Sequence, residues 1–284
     1  MIKTSYKTNY WDSKKEYEAF WSKSKNRPQD QKKNRKQKWP WFLLLVLLCV
    51  VAVGYVWVLH QKKGTPQLPV YTDSELSASI VDSAPDSIPE YVGEDVIDLN
   101  AGKPCFTEYD FDHITGENYT ALDGLGRCGT AIAMLDRTMM PTETRSSIGS
   151  IKPSGWVQEK YPGIVDSEPP YLYNRCHLIA HAMTGQNANE LNLITGTRYM
   201  NATTMLPYEE QVLQYLDYSD NHVLYRVSPY FKGSELVARG VEIEAYSVED
   251  DGAGVCFHVF VYNIQPGIEI DYVTGNSKET TESK

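Results

Sequence analysis

The sequence predicts an α+β domain built on a central antiparallel sheet and preceded by a single transmembrane helix. Three observations carry this expectation. One uncharged apolar run stands near the N terminus, three β-rich stretches follow one another near the C terminus, and a helical apolar spacing lies just before them.

The apolar run is FLLLVLLCVVAVGYVWVL, Phe42 to Leu59, without a charge or a proline. Its eighteen residues nearly cross a hydrocarbon core of about 30 Å at about 1.5 Å per residue. Trp39 and Trp41 on one side, with Tyr55 and Trp57 on the other, suit the two membrane interfaces. No small-residue cleavage pattern follows, so the run is expected to stay as an anchor rather than leave as a signal peptide. Residues 1–38 carry twelve Lys or Arg against four acids, a net +8, and Lys62 and Lys63 add two more. The positive-inside rule therefore places residues 1–38 in the cytoplasm and everything after Leu59 outside.

The formal charge of the whole chain is −10; removing that +10 leaves about −20 for residues 64–284. Bulk charge alone therefore does not attract a polyanion to the C-terminal part. Residues 61–92 hold Pro66, Pro69, Pro85 and Pro89 among serines and acids, which predicts an extracellular tether. The folded domain is expected over 93–275, followed by a disordered polar tail over 276–284.

Within that domain, Gly129 to Leu135 reads as a short strand. His222 to Tyr230, Glu235 to Ser247 and Val255 to Asn263 are rich in Val, Tyr, Phe and Ile and read as consecutive antiparallel strands. Leu206, Val212, Leu213 and Leu216 recur at helical spacing, with Pro207 tolerated in the first turn.

Chemistry concentrates in YNRCHLIAHAMTGQNANELNLITGTRYMN, Tyr173 to Asn201, where two histidines, two arginines and a series of asparagines crowd together. Hydrolysis of a phosphodiester needs a base to take a proton from water and a hard cation to neutralise the phosphate. Histidine suits the first task, and oxygen donors from Asn or Glu suit the second. Four cysteines, Cys105, Cys128, Cys176 and Cys256, lie beyond the apolar run. No C-x-x-C spacing marks a zinc site, and spacing alone leaves disulfide pairing open.

Asn174-Arg175-Cys176-His177 resembles the Asp-Arg-Gly-His signature of the DNA/RNA non-specific endonucleases, which carry a ββα-metal motif. The streptococcal branch, with its DNA-entry and secreted DNases, is more similar still, and the similarity runs over most of residues 105–275. The resemblance implies a ββα-metal nuclease fold, with His177 as general base and Asn201 as the magnesium-ligating Asn. It further implies Asn192 as a supporting Asn, Glu209 as an acid gripping a metal-bound water, and Arg145 as the residue stabilising phosphate charge, with Arg137 as its competitor. The signature departs from the family in Asn174 and Cys176, which bears on how the loop is held. The implied cofactor is Mg2+, with Mn2+ as a substitute. The implied partner is DNA, with RNA as an alternative substrate, and the implied product carries a 5′-phosphate. The anchor read from the apolar run favours work at the cell surface, with DNA-uptake machinery as one candidate partner and uptake, nutrient scavenging, degradation of host DNA and attack on competitors left open as purposes.

His181 is open between a structural and a substrate-facing role. Asn187 and Asn189 read as turn formers, Glu210 as a solvated helix residue, and Arg175 as an ion-pair partner or a phosphate contact. Two other functions compete. One is a cysteine-dependent hydrolase using Cys176 with His181 or His222, for which adjacent Cys176 and His177 are poorly placed. The other is a catalytically inert surface-binding module on a nuclease scaffold.

Overall fold

The computed structural model describes residues 88–280. The expected transmembrane helix, the basic segment and most of the tether lie outside the described residues. Among the described residues no helix is long and apolar enough to cross a membrane.

Ten strands form, in chain order β1 (Val96–Asp98), β2 (Gly116–Tyr119), β3 (Ala131–Leu135), β4 (Tyr173–His177), β5 (Leu193–Thr197), β6 (Val223–Tyr230), β7 (Gly240–Ser247), β8 (Cys256–Tyr262), β9 (Ile268–Ile270) and β10 (Ser277–Glu279). Among the described residues three α-helices accompany them: α1 (Glu108–His113), α2 (His181–Thr184) and α3 (Leu206–Tyr218). Six strands make one antiparallel sheet in the order β1-β8-β7-β6-β3-β2, so the expected central antiparallel sheet is present.

β6, β7 and β8 match the three stretches singled out by composition, with one difference. The stretch beginning at Glu235 turns extended only at Gly240. Before it, the amides of Leu236 and Val237 both donate to the Tyr272 carbonyl, which holds that segment in a turn. Gly240 itself lies against β8, where a Cβ would sit 2.3 Å from the Val261 carbonyl oxygen. The polar stretch from Asn276 also departs from expectation. Ser277–Glu279 is a strand paired with β9, so disorder does not begin at Asn276, and residues 281–284 lie outside the described ones.

The sheet is buried on both faces. Val223, Tyr225 and Val227 of β6 join Val241, Ile243 and Ala245 of β7 in the main core, which also takes Val212, Leu213 and Leu216 of α3. Burying each of these α3 side chains stabilises by about 1.5–3 kcal/mol, which docks the helix firmly on the sheet. The opposite face carries Arg226, Glu242, Glu244 and His258, all buried. An apolar–charged alternation ordinarily leaves the charged side in water. Here the segment around α1 covers it, and Arg226 pairs with Glu244 at 2.6 Å and with Asp110 of α1 at 3.6 Å.

β4 and β5 stand apart as an antiparallel ribbon, with His177 opposite Leu193. A π-helical turn, Met200–Thr204, leads from β5 into α3. The chain thus runs strand, strand, helix across the segment where the chemistry concentrates. Gly196 allows this close approach, because a Cβ there would meet Cys176 Cβ at 2.6 Å and Met200 Cε at 2.8 Å.

Candidate active site

His177 ends β4 and is buried at 6% exposure. Three hydrogen bonds from Asn192 fix the chain that leaves it. The Asn192 carbonyl accepts from the Leu178 amide at 3.0 Å, its Oδ1 accepts from the Ile179 amide at 2.8 Å, and its Nδ2 donates to the Ile179 carbonyl at 3.0 Å. Asn192 is fully buried, so these bonds have no competition from water. Its side chain does not face a ligand; it holds the backbone two residues beyond the histidine.

Each ring nitrogen of the imidazole has a hydrogen-bonding neighbour, and together they define its proton. Nε2 lies 3.2 Å from the Asn187 carbonyl, which can only accept, so Nε2 carries the hydrogen and donates. Nδ1 lies 3.2 Å from the Arg145 guanidinium, which can only donate, so Nδ1 presents its lone pair. Burial, then the Arg145 charge, depress the His177 pKa to about 4, with the Asn187 carbonyl opposing. The ring is neutral near pH 7 with a free-base nitrogen facing Arg145.

Arg145 is therefore the arginine brought to the histidine. Arg137 lies elsewhere, 3.9 Å from Asp217 and 4.0 Å from Asp220. The loop that follows Arg145 is tied down at several points. The Ser146 amide donates to Asn187 Oδ1 at 2.9 Å, and Arg175 donates to the carbonyls of Gly149, at 2.8 Å, and Ile151 while stacking on Trp156 at 4.3 Å. Arg175 thus serves the loop and not an ion pair. Asn187 does more than form a turn, since its side chain holds the Arg145 loop and its carbonyl orients His177. His181, at the start of α2, is half-buried, and burial together with Arg145 lowers its pKa.

Asn201 lies in the π-helical turn, and Glu209 lies in the first turn of α3. π-helical turns inside or beside α-helices recur at functional sites. Burial, reinforced by Glu210 and opposed by Arg145, raises the Glu209 pKa to about 8. A carboxylate and an amide oxygen are the hard oxygen donors that a hard cation takes. The residues present fit Mg2+.

Cys176 is a poor nucleophile. It is fully buried, its Sγ faces Met205 Sδ at 3.5 Å, and burial with the nearby Glu209 charge holds its thiol well above the usual range. His222, the other partner considered for it, is engaged with Glu249 at 2.5 Å on the surface. Cys105, Cys128, Cys176 and Cys256 are all free thiols, so no disulfide joins them.

A sequence model of the DNA/RNA non-specific endonuclease family matches residues 107–249, half of the chain. The chain belongs to the DNA/RNA non-specific endonuclease family. Its strand–strand–helix unit and central antiparallel sheet agree with solved members. The magnesium-bound crystal structure of NucA from Streptococcus agalactiae superposes with a TM-score of 0.58 at 26% identity, covering 74% of this chain and 97% of that one. The zinc-bound Sda1 nuclease superposes with a TM-score of 0.53 at 26% identity, covering 66% and 97%. A deoxyribonuclease of Streptococcus dysgalactiae subsp. equisimilis is 34% identical over 110 residues, 37% of this chain. The match spans only 32% of that relative's length. Streptococcal nucleases of this family thus bind divalent metals, and of the residues the resemblance assigned, Arg145 meets the His177 ring while Asn192 holds the backbone after it.

Proposed function

We propose that this protein is a membrane-anchored, magnesium-dependent, non-specific endonuclease of the outer cell surface, which hydrolyses phosphodiester bonds of DNA and RNA and leaves 5′-phosphate ends. The observation that carries the reading is the neutral His177, whose single available tautomer leaves Nδ1 as the base.

When the substrate arrives, its phosphate competes with His177 for the Arg145 guanidinium, and phosphate is the stronger acceptor because the bond is charge-assisted on both sides. Transfer of Arg145 to the phosphate frees the Nδ1 lone pair and brings positive charge to the phosphoryl oxygens. His177 then removes a proton from the attacking water, while its Nε2–H stays on the Asn187 carbonyl, so the ring does not turn. Asn192 keeps the backbone after His177 in register during this step. Asn201 would hold the Mg2+, and Glu209 would support it from the first turn of α3. When bound, the cation supplies charge stabilisation for the phosphorane-like transition state and for the departing 3′ oxygen.

The acidic balance beyond the apolar run supports a site that depends on the cation more than on surface lysines for its polyanion. The apolar run and the basic segment before it support anchorage with the catalytic domain outside. There the protein would act in DNA uptake or in degrading extracellular DNA. The test is plasmid DNA and RNA incubated with the purified chain in Mg2+, in Mn2+ and in chelator. Cleavage in either metal, abolished by chelator, with 5′-phosphate ends is the expected result. Metal-independent cleavage, or none, would overturn the proposal.

A further inference from the structure

A second cluster of donors lies on the opposite face of the sheet, away from His177. Cys105 Sγ, a Glu244 carboxylate oxygen and a His258 ring nitrogen all lie within 4.8 Å of one another. Sγ is 3.8 Å from His258 Nδ1, and Nδ1 is 3.8 Å from Glu244 Oε1. Tetrahedral zinc would ask for donor separations of about 3.3–3.6 Å, given bonds of about 2.0–2.3 Å. The two separations at His258 Nδ1 need to contract by a few tenths of an ångström, and the exposed Cys105 closes the third, which lies within 4.8 Å.

The surroundings are those of a built site. His258 Nε2 is held by Glu242 Oε1 at 2.5 Å, which orients Nδ1 toward Cys105. A carboxylate on the far nitrogen is the usual support of a zinc-binding histidine. The other oxygen of Glu244 is bound by Arg226 Nε at 2.6 Å, so Oε1 is directed at Cys105, whose amide donates to it at 2.6 Å. Glu244, His258 and Glu242 are 1%, 4% and 3% exposed.

The backbone that delivers the thiol is strained to do so. Asn100, Ala101 and Gly102 take φ of 45°, 54° and 74°, a left-handed run in which two of the three residues carry a Cβ. This curls the chain so that the Lys103 carbonyl accepts from His258 Nδ1 at 3.0 Å, a proton that a bound metal displaces, and Asn100 Nδ2 donates toward Cys105 Sγ at 3.5 Å. Local strain of this kind persists where the surroundings hold it and clusters at ligand sites.

We propose that Cys105, Glu244 and His258 form a second metal site that takes a zinc-type divalent cation and fastens the segment before α1 to the back of the sheet. A thiolate, an imidazole and a carboxylate select zinc over magnesium, which prefers oxygen alone. The two sites therefore take different ions. The missing C-x-x-C does not bear on this, since the ligands come from three separate segments.

The test uses the full chain with Co2+ as a spectroscopic substitute for zinc. The wild-type protein should show a thiolate-to-cobalt charge-transfer band at one ion per chain. Cys105→Ser should lose the band, while Cys256→Ser, which alters another exposed thiol, should keep it. Zinc should raise the Tm of the wild type and of Asn201→Ala but not of Cys105→Ser. Glu242→Gln should weaken cobalt binding about 10–100-fold. Magnesium-dependent cleavage retained by Cys105→Ser shows that the variant is folded. No band in the wild type, a band that survives Cys105→Ser, or a zinc-induced Tm rise that disappears in Asn201→Ala and persists in Cys105→Ser would overturn the proposal.

Discussion

Asn192→Ala separates positioning from chemistry, because the Asn192 side chain holds backbone and touches no ligand. Removing it leaves the Ile179 amide and carbonyl, bonded at 2.8 and 3.0 Å, without partners in a fully buried setting. Each orphaned group costs about 1–3 kcal/mol, so the expected destabilisation is about 2–6 kcal/mol. With a urea m-value of about 2 kcal/mol/M, the unfolding midpoint should fall by about 1–3 M. The same change releases the chain two residues beyond His177, and a misplacement of about 1 Å can cost about 10²-fold in rate. The assay is urea unfolding followed by near-UV signal, with cleavage measured well below the unfolding midpoint. Asn189→Ala is the control, because its Oδ1 accepts only from the Leu191 amide at 3.0 Å and caps a short turn. It should cost about 1 kcal/mol and leave the rate alone. An Asn192→Ala protein as stable as Asn189→Ala, or one that cuts at the wild-type rate, would refute the assignment.

Asn201→Ala should lose more magnesium affinity and more activity than Glu209→Ala, since Asn201 is the proposed direct ligand and Glu209 its support; isothermal titration with Mg2+ checks the order. Glu209, raised to about 8, is protonated in the metal-free protein at pH 7 and favours the cation only when ionised. Magnesium affinity should therefore rise with pH up to about 8. His177, depressed to about 4, is already neutral through that window and contributes no slope. Glu209→Gln should flatten the profile, and an unchanged slope in that variant would remove Glu209 from the linkage. A reporter active only outside the membrane should work when fused after Lys284 and fail when fused before Trp39; the reverse pattern would contradict the proposed orientation.

Much of the fold was legible where composition and period are strong. β6, β7 and β8 announce themselves through β-branched and aromatic residues, and α3 through the spacing of Leu206, Val212, Leu213 and Leu216. β10 was missed because Ser-Lys-Glu carries no strand propensity; its pairing with β9 comes from tertiary context. In the site, the candidate side chains were singled out through the Asn-Arg-Cys-His signature and the offsets after it. What orients His177 was not, because the deciding group on Nε2 is a backbone carbonyl, which every residue has. The choice of Arg145 over Arg137 also needed the structure, since a loop of irregular backbone brings Arg145 back to the end of β4. The Cys105 cluster was invisible for a simpler reason. Cys105 lies 139 residues from Glu244 and 153 from His258, and only the pairing of β7 with β8 and the curl before α1 bring them together.

The central claim is that His177 is the base of a metal-dependent phosphodiesterase. It is tested most directly by the single-turnover rate of plasmid cleavage by His177→Ala in saturating Mg2+, beside the wild type and with folding checked by Tm. Loss of at least about 10²–10⁴-fold with the fold retained is the predicted result. Cleavage by His177→Ala at the wild-type rate would contradict it.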